Sequence, residues 1–377
     1  MNLQDAQEFR FRFTGKGGEY FAIWIVNLLL SIVTLGIYSA WAKVRREQYF
    51  HRNTLLDDHP FEYTGDPLRI LLGRIVALVV IGAGSVLQEV NLQLALAVTA
   101  LFLLLFPWVV VRSLRFRARN TRYRNLAFSF TGTTWGAIKA YFWIYVALLP
   151  SIVAALLMYP ELQSIEANPE LAKSPQFTNS LLILGGAGTL TVLLFLLLWP
   201  AYQCHVRAFL HRHIRYGNAQ GDFSGAVSAF YGAVFRAFGV GLLTLFLIAV
   251  IVIVARMIEQ PLLMVLAYPV LFLPQAAYSV NLTNVTYAHA SIGGNGFVSD
   301  MRVAPMAWLL FTNLLLLMVT VGLAWAWVKV RMARYRLEHM SLVMVPGTVD
   351  GIIGEASQNP SALGEEAAEF LDFDISL

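Results

Sequence analysis

Cysteine occurs once in the 377 residues, as Cys204, which excludes a disulfide within this chain and leaves no thiol pair for a redox centre. Charge is scarce as well. Asp, Glu, Lys and Arg make up 13% of the residues, against about 25% in soluble domains. A chain with so little charge lacks the polar surface that a water-soluble particle needs. Catalytic signatures are missing too: there is no Walker loop, nucleophile elbow, His-Glu-x-x-His helix or paired-carboxylate constellation. The sequence therefore points to no enzyme and calls for no cofactor and no metal.

What is abundant is apolar, at 58% hydrophobic residues. A membrane-spanning helix needs roughly 17–25 predominantly apolar residues. Six runs qualify, at 70–87, 92–111, 135–158, 180–201, 230–255 and 262–280, and two more lie at 21–41 and 306–328. The fold expected is an all-α polytopic membrane protein with six to eight membrane segments, internal repeats and short cytoplasmic β-hairpins. No cleavable signal peptide is expected, because the first apolar run follows the strand-like "EFRFRFTGKGGEY". The tryptophans, Trp41, Trp135, Trp143, Trp199, Trp325 and Trp327 among them, fit the interfacial belts of a membrane protein.

Basic residues in short loops set orientation. The connections at 43–69, 112–139, 205–226 and 329–336 hold most of the 27 Lys and Arg, whereas the alternate ones contain only Lys173 and Arg256. The Arg-rich connections and both termini are accordingly expected in the cytoplasm.

The two terminal segments are copies. "NLLLSIVTLGIYSAWAKVR" (27–45) returns as "NLLLLMVTVGLAWAWVKVR" (313–331), identical at twelve of nineteen positions with a constant offset of 286. Both copies have basic flanks on both sides. Two arrangements meet this: a re-entrant hairpin broken at Thr34-Leu35-Gly36 and Thr320-Val321-Gly322, or one crossing each against the charge rule. Glycine permits the break, and threonine can satisfy a freed carbonyl.

The inner connections also resemble one another. "RNTLLDDHPFEYTGDP" (52–67), "RNTRYRNLAFSFTGTT" (119–134), "RYGNAQGDFSGA" (215–226) and, more loosely, "NVTYAHASIGGNGFVSD" (284–300) each combine a turn with aromatic alternation, which reads as a β-hairpin. "FRFRFTG" (9–15) looks like the second strand of such a hairpin and "MSLVMVPG" (340–347) like the first. The two are expected to pair and so join the chain ends.

"FRFTGKGGEYF", "TLGIYSAWAKVRR", "FEYTGDP" and "VRSLRFRARNTRYRN" closely resemble the YjgN family of bacterial inner-membrane proteins, a domain of unknown function. The resemblance runs to about Gly347. It implies an inner-membrane location and a multi-span fold, and it carries over no catalytic or ligand-binding residue.

Candidate residues fall into groups. Arg74, Lys139 and Arg236 lie on the inner halves of spans, where a cation either faces a polar pathway or snorkels to the headgroups. Asn27 and Asn313 recur at matched positions, where they hydrogen-bond across helices, cap a break or line a path. Arg45, Arg46, Arg112, Arg115, Arg117, Arg119, Arg122, Arg124, Arg331 and Arg334 sit immediately inside spans and suit anionic lipid, at about 1 kcal/mol each. That position argues against nucleic acid. Cys204, His205, His211 and His213 read as a basic helix end against a metal set, since 205, 211 and 213 do not share one helical face.

The domain division expected is a membrane domain over 1–346 and an acidic tail over 347–377, with seven acids and no Lys or Arg. The tail is either disordered or docks on a basic cytoplasmic face. Partners expected are membrane lipids, anionic ones first, with a second copy of the chain and a cytoplasmic protein as further possibilities. Two functions compete: a transporter or channel-like protein for a small anionic or amphipathic solute, and a non-catalytic membrane organiser binding anionic lipid or a protein partner. A continuous polar cavity reaching Arg74, Lys139 or Arg236 distinguishes the first.

Overall fold

A computed structural model describes residues 6–90, 92–344 and 347–352 of the chain. The chain alternates short strands with paired helices. It begins with β1 (Gln7–Arg10) and β2 (Arg12–Phe13), followed by α1 (Gly17–Val33) and α2 (Ser39–Arg52). Next come β3 (Thr54–Leu56), β4 (His59–Tyr63), α3 (Pro67–Val90) and α4 (Leu92–Asn120). They lead to β5 (Thr121–Tyr123), β6 (Leu126–Phe130), α5 (Thr134–Ala167) and α6 (Pro175–His213). The fourth group is β7 (Ile214–Tyr216), β8 (Ala219–Phe223), α7 (Val227–Met257), α8 (Ala267–Val270) and α9 (Leu273–Ala288). The last is β9 (Ala290–Ile292), β10 (Asn295–Ser299), α10 (Val303–Val319), α11 (Trp325–Glu338) and β11 (Met340–Met344).

The strands correct the all-α expectation. They do not stand as separate hairpins: all eleven form one antiparallel sheet, in the order β1-β11-β10-β9-β8-β7-β6-β5-β4-β3-β2. Its two ends, β1 and β2, are separated by Phe11 alone, so the sheet curls into a near-closed barrel. The cause lies in the hairpin edges. A free edge exposes unpaired N–H and C=O groups, and each hairpin satisfies them on the next hairpin in the chain. The chain ends supply the final pairing, β1 on β11, with Gln7 opposite Met344 and Arg10 opposite Ser341.

Five equivalent junctions tie helices to barrel. The N–H groups of Thr14, Thr64, Thr131, Ser224 and Asp300 donate to the carbonyls of Asn53, Asn120, His213, His289 and His339, at 2.9, 2.9, 2.9, 3.0 and 3.1 Å. Each partner carbonyl closes the helix that returns to the sheet. Five helical hairpins therefore rise from one barrel, and both feet of each stand on it.

Each terminal copy is a short helical hairpin. Neither is a single helix. Each climbs, turns and comes back, and at about 1.5 Å per residue the 17 residues of α1 or α10 rise only about 25 Å. The turns are built alike. Leu35 and Val321 adopt φ of 49° and 50°, followed by Gly36 at 90° and Gly322 at 85°. Thr34 Oγ1 donates to the Leu30 carbonyl at 2.7 Å and accepts from Tyr38 N at 2.9 Å; Thr320 does the same with Leu316 and Ala324, at 2.7 and 3.0 Å. Leu35 is 95% and Val321 90% exposed, so both tips present apolar side chains to the surroundings. The two short hairpins are neighbours, with Phe21 and Trp327 rings 4.6 Å apart.

Among the described residues six helical stretches are long and apolar enough to cross a membrane: Pro67–Val86, Ala97–Asn120, Thr134–Glu161, Pro175–His213, Val227–Met257 and Pro261–Ala288. Each contains or overlaps one of the six runs read from the sequence. The barrel interior is packed with Leu56, Tyr123, Leu126, Tyr216, Leu342 and Met344, with Phe9, Phe11, Phe61, Phe128 and Phe297 against them. Phe61 stacks on Tyr123 at 4.7 Å, and Phe128 meets Tyr216 at 4.9 Å. Residues 347–352 bring Val349 and Ile352 onto this core. The expected boundary at 346 thus falls just before a segment that packs on the barrel, and the acidic tail after Ile352 lies outside the described residues.

Candidate functional site

The cations expected in the membrane divide by geometry. Lys139 is exposed, and its ammonium lies 5.6 Å from the Trp135 ring, one turn nearer the sheet. Arg236 is exposed as well, and its guanidinium lies beside Gly232, again one turn back toward the barrel. Both follow the course of a snorkelling chain. Arg74 differs. Its guanidinium donates to Ser39 Oγ of the neighbouring short hairpin, and it lines a cavity of about 570 Å³.

That cavity is walled by α2, α3 and α4. Lys43, Arg46, Glu47 and His51 come from α2, Arg74 from α3 and Arg117 from α4, with Tyr63 and Thr121 at the sheet. Arg46 and Glu47 form an ion pair at 2.8 Å. Lys43, Arg46 or Glu47, and His51 recur at helical spacing, which puts them on one face of α2. From the sequence, Arg46 and Arg117 are expected among the lipid-facing arginines and Arg74 either on a polar pathway or at the headgroups, while Lys43, His51 and Ser39 belong to neither group. The helical spacing of Lys43, Arg46 and His51 was the available signal; what they face is set by packing.

A second set of cations sits on aromatic rings. Arg45 lies 5.8 Å from Tyr38, Arg112 5.5 Å from Trp108, and Lys329 4.6 Å from Trp325. With Lys139 on Trp135 this makes four such pairs, on α2, α4, α5 and α11. Trp108, Trp135 and Trp325 are 41%, 64% and 41% exposed, so these three pairs face outward, whereas Tyr38 is half-buried with its hydroxyl enclosed. A further pair, Arg207 on Phe230 at 6.0 Å, has its ring in the core. Arg45 also borders a groove of about 480 Å³ along α1 and α2, together with Ala22, Ile23, Val26 and Arg52.

Other arginines are tied inward. Arg115 Nη2 donates to the Gly132 carbonyl at 2.9 Å, and Arg334 Nη2 to the Gly15 carbonyl at 2.8 Å. Gly132 and Gly15 occupy the same place in their hairpins, so these two arginines brace the fold. Arg331 donates to Thr312 Oγ1 at 2.9 Å. Arg122 sits on β5 opposite Glu62. Arg124 lies in the β5–β6 turn with its guanidinium 2.5 Å from Asp350. Arg119 stands at the foot of α4, away from the cavity lining.

Asn27 and Asn313 are both buried, 7% and 4% exposed. Asn27 Oδ1 and both amide atoms of Asn313 have no hydrogen-bond partner, so Asn313 does not make the cross-helix bond expected of it. Cys204 approaches the Gly225 carbonyl at 3.6 Å. His205 and His213 each place Nδ1 on a carbonyl one turn back, Ala201 and Phe209, and His211 stacks on Phe223. The four therefore do not converge.

A family model described as "Bacterial protein of unknown function (DUF898)" matches residues 8–370. The inner membrane protein YjgN of Salmonella typhimurium is 33% identical over 147 residues, 38% of this chain and 36% of that protein. The inner membrane protein YjgN of Escherichia coli K12 is 30% identical over 159 residues, 41% of this chain and 38% of that one. The chain thus spans about two fifths of the length of the curated relatives it matches. No solved structure matches it.

Proposed function

The chain belongs to the DUF898 family of bacterial proteins, and from that premise we propose that it is a non-catalytic organiser of the inner membrane that binds anionic lipid. The observation carrying this reading is the belt of four cation–aromatic pairs, three of them on exposed tryptophans. The four cations stand five to nine residues from the barrel ends of their helices, about 7–14 Å at 1.5 Å per residue, and cations at that level meet lipid phosphate. Arg45, Arg112, Lys139 and Lys329 are the residues assigned to this contact. In this reading the barrel lies on the cytoplasmic side, which the excess of basic residues in its connections supports.

The aromatic filling of the barrel favours this reading over passage of a small anionic or amphipathic solute along the barrel axis. Of the three cations weighed for such a path, Arg74 lines a polar cavity, whereas Lys139 and Arg236 run along the outside of their helices.

The test is the lipid that stays with the protein. Purified in mild detergent, it retains anionic lipids in excess of their share in the source membrane, and replacing the four belt cations by glutamine abolishes the excess. Retained lipid of the same composition as the membrane overturns the reading.

A further inference from the structure

The cavity between α2, α3 and α4 is a site of different chemistry from the belt. Lys43, Arg46, Arg74 and Arg117 supply four cations to its lining, and Glu47 supplies one carboxylate. Since Glu47 is already engaged with Arg46 at 2.8 Å, the lining keeps a marked positive excess. Its volume of about 570 Å³ falls within the range of about 300–1,000 Å³ in which proteins hold small ligands and headgroups.

The cations come from three helices and are spread along the helix axes. Arg117 is three residues before the end of α4, at the barrel. Arg46 is six residues before the end of α2 and Lys43 nine, about 9 and 13.5 Å above its foot at 1.5 Å per residue, against about 4.5 Å for Arg117 on α4. Arg74 stands seven residues into α3, about 10 Å above its foot by the same rise. A slot with cations at several heights suits a ligand with more than one negative charge. A monoanionic phosphodiester engages only part of it.

Just outside the cavity the wall turns apolar. Leu78 and Ile81 of α3, one and two turns beyond Arg74 on the same helix face, are 69% and 50% exposed. Ile37, at the top of α2, is 57% exposed. Polar slot and apolar rail thus meet at Arg74, the arrangement that an amphiphile requires and a free anion does not.

We propose that this cavity binds the headgroup of a phosphate lipid carrying at least two negative charges, with its acyl chains lying along α3. The ligand is a phosphomonoester or a two-phosphate lipid, held one per chain. Arg74 grips the phosphate oxygens by charge-assisted hydrogen bonds, Lys43 and Arg117 add positive charge above and below it, and Ser39 positions Arg74. The proposal rests on the reading of the protein as an anionic-lipid binder, and it assigns that binder a stoichiometric, headgroup-selective site.

The experiment is a binding titration of the full chain in neutral detergent. The probes are short-chain phosphatidic acid, short-chain phosphatidylglycerol and inorganic pyrophosphate. Phosphatidic acid is expected to bind at one site per chain, about tenfold tighter than phosphatidylglycerol. Arg74→Gln is expected to lower its affinity about tenfold, the size of one charge-assisted hydrogen bond, and Arg74→Lys to retain part of it. Arg256→Gln, at the far end of α7, leaves it unchanged, and thermal unfolding confirms that each variant is folded.

Arg74→Gln binding phosphatidic acid within about twofold of the parent overturns the site. Pyrophosphate binding as tightly as phosphatidic acid overturns its assignment to lipid. Phosphatidylglycerol binding as tightly overturns the charge requirement. The belt is read separately, in the lipid retained by the parent protein. Anionic lipid retained together with an inert Arg74→Gln result removes the cavity proposal alone, and bulk-like retained lipid removes the belt.

Discussion

The hydroxyl of Tyr216 donates to the backbone carbonyl of Tyr123 at 2.9 Å, and the hydroxyl of Tyr123 donates in turn to the carbonyl of Leu56 at 2.7 Å. Leu56, Tyr123 and Tyr216 hold the same place in successive hairpins, each the last residue of its first strand. Each tyrosine therefore reaches back one repeat. The steps link three hairpins through the barrel interior, where water is not available to satisfy a carbonyl.

Removing one hydroxyl leaves one of these buried carbonyls short of a partner. Tyr216→Phe is expected to destabilise the protein by about 1–2 kcal/mol, read as a lower unfolding temperature in detergent. An unchanged transition would mean that the steps carry no stability.

The same burial sets a pH dependence. Removal from water, with Asp57 and Asp350 nearby, pushes the Tyr123 hydroxyl up to about 12, and burial raises Tyr216 as well. A pKa raised on folding means that the neutral form is favoured in the native state. The contribution is complete below the ordinary tyrosine value of about 10 and is lost as pH climbs through about 12. Tyrosinate absorbance in an alkaline titration should show these two groups ionising after the exposed tyrosines and together with unfolding. Their ionisation with the exposed group sinks the assignment.

Part of this architecture was legible in the sequence. The 286-residue offset exposed the twin terminal segments because their turn chemistry, Thr-x-Gly, is local. The hairpins were legible for the same reason, through turn formers and aromatic alternation, and so was the meeting of the two chain ends. These pair as 7–10 on 341–344, whereas Arg12 and Phe13 of the expected strand pair with β3. Closure of the sheet was not. Which edge meets which is decided by backbone groups that every residue carries, so no side-chain pattern records it. The cavity was hidden likewise: Arg46 and Arg117 looked like members of a solvated basic run, and only the packing of α2 beside α3 and α4 turns them toward Arg74.

The turn tips yield a topological prediction. Leu35 and Val321 are apolar, almost fully exposed and held in a conformation that side chains with a Cβ disfavour. Such a tip is tolerable in lipid. Cys204 is buried, so the background for labelling is low. Leu35→Cys and Val321→Cys should resist a membrane-impermeant thiol reagent from either side and react with a lipid-soluble one. Labelling of either position by the impermeant reagent contradicts burial of the tips in the bilayer.

Gly221 marks a close approach within the barrel. A Cβ there would lie 2.1 Å from the carbonyl oxygen of His211 and 2.8 Å from Ile214. The first is backbone at the end of α6 and cannot swing aside as a side-chain tip can. Gly221→Ala is therefore expected to cost more than the about 1–3 kcal/mol typical of an overpacked core, with loss of folded protein on size-exclusion chromatography. Gly294→Ala, with nothing within 4 Å of the added carbon, separates this clash from general glycine sensitivity, although its φ of 81° brings a smaller strain of its own. Equal yields of Gly221→Ala and the parent rule the clash out.

Segment 347–352 poses a choice between two sources of stability. Asp350 pairs with Arg124 at 2.5 Å, but its side chain is 61% exposed, and exposed pairs contribute only about 0–1 kcal/mol. Val349 and Ile352 pack on the barrel core, and burying side chains of this kind contributes about 1.5–3 kcal/mol each when complete. Burial should dominate. Truncation after Gly347 is expected to lower the unfolding temperature clearly, Val349→Ala to reproduce much of that loss, and Asp350→Ala to reproduce little. High salt should leave the difference between full-length and truncated protein nearly unchanged. A loss that follows Asp350→Ala and vanishes in salt would assign the docking to charge instead.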